Sequence, residues 1–258
     1  WQAGEIIRDI HKVALPANWP VDKLLVHIGV WKGSARFNVT SGRQDGQNRA
    51  FAVELPVKGT APPPPPKRLV VRKLKPGTEL SIDGKLDEPA WKDAISTGPF
   101  VQTMDGSPTG ANRLAQARAL WDDKNLYVAF EFQDSDIHSD FEKHDDKLWT
   151  QDAAELFIDA DGDRRTYIEL QVSPRNVTFD SWLPSYRAND NAWDAPLTTA
   201  VQVNGTVNKS DDNDSGWTVE LKLPLDAVKG RLTEARGVPP TVGTEWRANF
   251  FHGSPDRQ

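Results

Sequence analysis

Two stretches of this sequence, Leu126-Tyr127-Val128-Ala129-Phe130-Glu131-Phe132 and Trp217-Thr218-Val219-Glu220-Leu221-Lys222-Leu223, alternate in character with a period of two. That period sends successive side chains to opposite faces of an extended chain, whereas a helix would scatter them around its axis. Asp, Asn, Gly or Pro bounds each stretch, so the strands end in turns. The same pattern marks residues 80–82, 116–121, 153–158, 167–172, 199–203 and 245–251 as strands, and only 88–94 and 225–228 as helical. So many strands with so little helix predict an all-β domain, a jelly-roll-like β-sandwich.

Five consecutive prolines, residues 62–66, interrupt the chain before this region. A proline run is extended and offers no N–H to a sheet, so residues 59–67 are predicted to be a linker. Residues 1–58, with strand patterns at 5–13, 23–31 and 50–57, are expected to form a short and incomplete immunoglobulin-like β-sandwich segment. The main domain is then 68–258.

Charge narrows the partners. Residues 1–66 carry 8 Lys and Arg against 5 Asp and Glu, which leaves 23 against 32 for residues 67–258. An acidic domain repels phosphate backbones and anionic lipid, so nucleic acid is not an expected partner. No apolar run approaches the roughly 20 residues of a membrane helix, and no membrane insertion of this segment is expected. The absence of cysteine excludes disulfides and thiolate chemistry. A start at Trp1 without Met suggests a processed or excised part of a longer protein.

Trp149 and Glu155 are the candidates for function. An aromatic plate at a strand entrance can stack on the C–H face of a pyranose while nearby carboxylates and amides meet its hydroxyls. The alternative is a core tryptophan with solvated acids around it. A strand starting near Asp152 puts 153, 155 and 157 on one face and 152, 154 and 156 on the other, so Glu155 and Asp152 serve different surroundings. Asp159, Asp161 and Asp163 alternate around Gly162, a spacing that suits calcium or an ordinary solvated hairpin turn. The five histidines show no zinc-ligand spacing along the chain. Trp91 and Trp121 are expected in the core.

Three motifs in order, 82–91 (IDGKLDEPAW), 119–128 (ALWDDKNLYV) and 149–159 (WTQDAAELFID), resemble the family 9 carbohydrate-binding modules. The resemblance implies a jelly-roll-like sandwich that binds sugar without cutting it, often with structural calcium. It implies that Trp149 is one of two clamping tryptophans and Glu155 the acid. Gln171 falls where the family places an arginine, and Asn249 roughly where it places a glutamine. The second clamp follows the last strand in the family; here the sequence stops at Gln258, and half of the clamp is missing unless Trp182 or Trp193 substitutes. The function expected is a non-catalytic carbohydrate-binding module of a larger exported or cell-surface protein. The alternative is a structural or assembly module with a degenerate sugar site and a protein partner.

Overall fold

A computed structural model describes residues 15, 22–32, 35–45, 47–57, 67–103, 106–185, 188–229 and 238–253. The strand expected at 5–13 and the prolines 62–66 lie outside them. The chain divides into two compact units, Trp1–Arg68 and Leu69–Gln258.

In the first unit β1 (Lys23–Ile28) pairs antiparallel with β4 (Ala50–Pro56), and the short β2 (Trp31–Lys32) pairs with β3 (Ala35–Arg36). The His27 and Phe51 rings meet edge-on at 5.7 Å across the β1–β4 pair. The immunoglobulin-like expectation draws on the 5–13 segment and so rests partly outside the described residues.

The second unit is a β-sandwich. In chain order its elements are β5 (Arg72–Lys73), α1 (Pro89–Asp93), β6 (Ala115–Trp121), β7 (Asn125–Phe132), β8 (Ala153–Asp159), β9 (Tyr167–Val172), β10 (Thr178–Ser185) and β11 (Ala188–Asp190). Then follow β12 (Thr198–Asn204), β13 (Gly216–Pro224), α2 (Leu225–Lys229) and β14 (Arg247–Gly253). One sheet runs β12-β13-β7-β6-β5 and the other β11-β10-β9-β8-β14. All pairs are antiparallel except β5 with β6.

The alternation read from the sequence places the core. Ala117, Val128, Phe130, Val219 and Leu221 of one sheet share a buried cluster with Leu156, Ile158, Ile168 and Leu170 of the other. Burying a side chain of the size of Leu or Phe contributes about 1.5–3 kcal/mol, so this layer dominates the stability of the unit. A second cluster, around Trp91, Leu120 and Tyr127, lies on the other side of the first sheet.

Two strand expectations need correction. Residues 80–82 form no strand: the N–H groups of Asp83 and Gly84 both donate to Glu220 Oε2, each at 2.8 Å, while Leu80 and Ile82 pack on the Trp91 cluster. Gly84 has φ +84°, and a Cβ there would stand 2.6 Å from the Val201 carbonyl carbon, so the segment lies directly against β12. Strand β10 escapes the sequence pattern because its inward positions include Asp180, 1% exposed, which breaks the apolar alternation.

Candidate functional site

The second sheet turns Ala154, Leu156 and Ile158 of β8 and Ile168, Leu170 and Val172 of β9 to the core. The alternate residues face outward. Strand pairing aligns them in rows across the sheet: Phe179, Gln171, Glu155 and Phe251 form one row, and Ser181, Glu169, Phe157 and Asn249 the next. Trp149 sits on a 3-10 turn, Leu148–Thr150, that lies against β8, β9 and β14. Leu148 anchors this turn with no exposure, while Trp149 is 44% exposed and rests edge-on against Phe179, ring centres 5.2 Å apart.

Trp149, Glu155, Gln171 and Asn249 thus belong to one sheet face and its rim. Their environments differ. Asn249 is exposed and Glu155 half-buried, but Gln171 is fully covered, its Nε2 donating to Glu169 Oε1 at 2.6 Å. A covered amide acts through the carboxylate it holds. Trp182 is on the opposite face: in β10 it alternates with Phe179 and Ser181 and packs on the interior cluster. Trp193, 6% exposed, belongs to the same cluster. Neither tryptophan opposes Trp149, because even-numbered positions of β10 point inward and Trp193 fills the sandwich beside them.

Sequence reasoning passed over Glu169, Phe157 and Phe251. The signal was present, since a period of two from Tyr167 puts 169 and 171 on one face. Phe157 meets the edge of Phe251 at 5.5 Å. The patch therefore has two acids flanked by aromatic rings.

Burial, then the charge of Glu169, pushes Glu155 up to about 7, and burial also raises Glu169. Folded Glu155 keeps its proton well above its ordinary value of 4.5. Between these values the folded chain binds more protons than the unfolded one, so stability falls as pH rises through the window, and the full penalty stands above it. Glu155→Gln is accordingly expected to raise the melting temperature at pH 8, by the equivalent of about 2–3 kcal/mol, and to leave it unchanged at pH 4. Thermal melts at both pH values check this; equal shifts at the two would sink it.

Gly253 borders the same carboxylate. A Cβ at this position would come 2.9 Å from Glu155 Oε1. Gly253→Ala is expected to displace the Glu155 carboxylate, and a shift of that residue's titration, read by NMR, checks it.

Asp159, Asp161 and Asp163 bring carboxylate oxygens within 4.8 Å of one another. Asp159 accepts from the N–H of Gly162 at 2.7 Å and of Arg164 at 3.0 Å, and Asp163 from the N–H of Arg165 and Thr166. The run is a hydrogen-bonded turn whose hard oxygen set also fits calcium. Burial, then Asp161, raises Asp159 despite those N–H bonds, as expected where like charges crowd.

The family model described as carbohydrate family 9 binding domain-like matches residues 82–243. This chain belongs to that family. Among relatives of the family 9 domain, an exoglucanase of Acetivibrio thermocellus is 30% identical over 149 residues, which cover 57% of this chain and 12% of the relative. An extracellular protein of Arthroderma benhamiae is 28% identical over 142 residues, 52% of this chain and 60% of that protein. The chain thus spans about an eighth of the first relative and three fifths of the second. A solved structure of a candidate carbohydrate-binding protein from Bacteroides uniformis shares the fold, with a TM-score of 0.51 and 10% identity, over 70% of this chain and 81% of that one. No helix among the described residues is long and apolar enough to cross a membrane.

Proposed function

We propose that the second unit is a non-catalytic carbohydrate-binding module and that the outer face of β8, β9 and β14 receives the sugar. The observation that carries this reading is Trp149, an exposed indole at the rim of a face with two half-buried carboxylates. A pyranose stacked on it would have hydroxyls within the sheet's polar rows, with Glu155 accepting, Asn249 reaching from the open edge and Gln171 holding Glu169 in place. Family membership and the exoglucanase relative support the ligand class. The domain is read as part of a larger exported protein, with residues 59–67 as its linker and a calcium ion at Asp159, Asp161 and Asp163. Titration calorimetry with soluble mono- and oligosaccharides tests the function; no uptake of any sugar at millimolar concentration overturns it.

The calcium reading has its own check. Calcium added to the metal-free full chain is expected to raise its melting temperature, and Asp161→Asn to remove that rise. An unchanged melt on calcium addition defeats it.

One observation favours a second reading, an assembly module with a degenerate site. Trp182 and Trp193, the tryptophans expected to complete a clamp, both pack inward. A single stacking face gives up about 1 kcal/mol of aromatic contact and much of the shape selection. Dimer formation at micromolar concentration without sugar affinity would favour this second reading.

A further inference from the structure

Behind the platform, the loop between β7 and β8 brings His144 against β10 and the segment after β11. His144 Nδ1 lies 3.0 Å from both the carbonyl oxygen and Oγ1 of Thr178; the carbonyl can only accept, so it favours a proton on Nδ1, and Nε2 faces the other way. Around Nε2 stand Asp194 Oδ1 at 3.1 Å, Asp145 Oδ1 at 3.5 Å and Asp180 Oδ2 at 3.7 Å. The ligand atoms of His144, Asp180 and Asp194 all lie within 4.8 Å of one another.

Asp180 makes this more than a surface cluster. It is 1% exposed; Oδ1 accepts from the Ala195 N–H at 2.9 Å, while Oδ2 is buried, accepts no hydrogen bond and is aimed at His144. A protonated imidazole has one Nε2–H, which reaches Asp194 and leaves Asp180 Oδ2 unserved. Three carboxylates against one imidazolium also leave a local excess of negative charge, and a buried, unserved carboxylate oxygen is costly.

A divalent cation among these atoms would serve the Asp180 Oδ2 left without a donor and offset the excess negative charge. Tetrahedral zinc with bonds of about 2.0–2.1 Å sets its ligand atoms about 3.3 Å apart, close to the observed 3.1–3.7 Å from Nε2. The Thr178 carbonyl on Nδ1 is the outer partner that fixes the tautomer of a ligating histidine. An imidazole in the set selects against calcium, which takes oxygen, and favours a metal of the zinc class. The open side, where His144 is 44% and Asp194 76% exposed, leaves an entry path.

We propose that His144, Asp180 and Asp194, with Asp145 beside them, bind a divalent transition-metal cation such as zinc, which ties the loop leading to Trp149 onto β10. The site is assembled from three separated segments, which is why no ligand spacing along the chain announces it. It stands independently of the sugar reading, because its readout is metal uptake.

Zinc titrated into the metal-free 258-residue chain, followed by calorimetry and thermal melting, tests it. His144→Gln is expected to remove one equivalent of bound zinc together with the zinc-induced rise in melting temperature. Asp194→Asn, at a largely exposed position that leaves the fold undisturbed, is expected to weaken that equivalent about tenfold or more. Asp161→Asn, in the separate acidic turn, retains it. Absence of zinc uptake by the unaltered chain, or equal uptake by the chain and both of the first two variants, overturns the proposal.

Discussion

Replacing Trp149 by alanine is expected to abolish measurable sugar binding while leaving the sandwich folded. The two halves of this expectation have separate causes. For stability, the indole is 44% exposed and its one ring partner among the described residues is the edge of Phe179, while the neighbouring Leu148 does the anchoring with no exposure. Removing a half-exposed side chain at a loop turn typically changes stability by less than about 1 kcal/mol. For binding, a central aromatic platform is the residue type whose truncation commonly costs about 2 kcal/mol or more, roughly a thirtyfold loss in affinity. With Trp182 and Trp193 both turned to the interior, little remains among the described residues to hold the ring of a pyranose. Calorimetry against the best sugar found for the unaltered chain, paired with a thermal melt, measures both. Retained affinity would move the binding site away from this face; a collapsed melt would mean that Trp149 is a packing residue.

The same contrast explains how much was legible in the sequence. Strands β6, β7, β8, β9, β12, β13 and β14 follow the period-two pattern to within a residue or two, because each has one face on the interior and water on the other or a second apolar cluster behind it. The pattern fails at β10, where Asp180 points inward and bonds the Ala195 N–H, and at 80–82, which runs without a strand partner into Asp83 and Gly84, whose N–H groups donate to Glu220. Both failures are buried acids, whose inward direction depends on partners far away in sequence. At the site, Glu155 and Gln171 share a row because β8 and β9 pair in that register. The register of Trp182 was equally decidable from β10, had that strand been recognised. Which residues are covered was not decidable: Gln171 is hidden and Asn249 open although both alternate correctly.

Glu220 is the position where a single change is expected to cost most in stability. Its carboxylate is inside the unit, 0% exposed, and serves three donors from the segment before and within α1: Trp91 Nε1 at 2.7 Å on Oε1, and the N–H groups of Asp83 and Gly84 at 2.8 Å on Oε2. Glu220→Ala removes all three acceptors at once, and each buried donor left unpaired costs about 1–3 kcal/mol. The carboxylate itself resists burial, and its proton is held above the ordinary range for that reason despite the Trp91 bond. Relief of that penalty offsets part of the loss, so the net destabilisation expected is about 3 kcal/mol. Glu220→Gln keeps the shape but turns an NH2 group toward a donor whichever way the amide lies, so it is expected to recover only part of the loss. Urea unfolding followed by tryptophan fluorescence reads both variants as a drop in midpoint at constant slope. A loss below 1 kcal/mol for the alanine variant would mean that water replaces the carboxylate. A neighbouring contact separates the two cases: Thr218 Oγ1 donates to the Gly84 carbonyl oxygen at 2.5 Å. If the loop around Gly84 stays docked through that bond, Thr218→Val should add its own cost on top of Glu220→Ala. If the loop has already come away from β13, the second substitution should add nothing, and the double-mutant cycle distinguishes the outcomes.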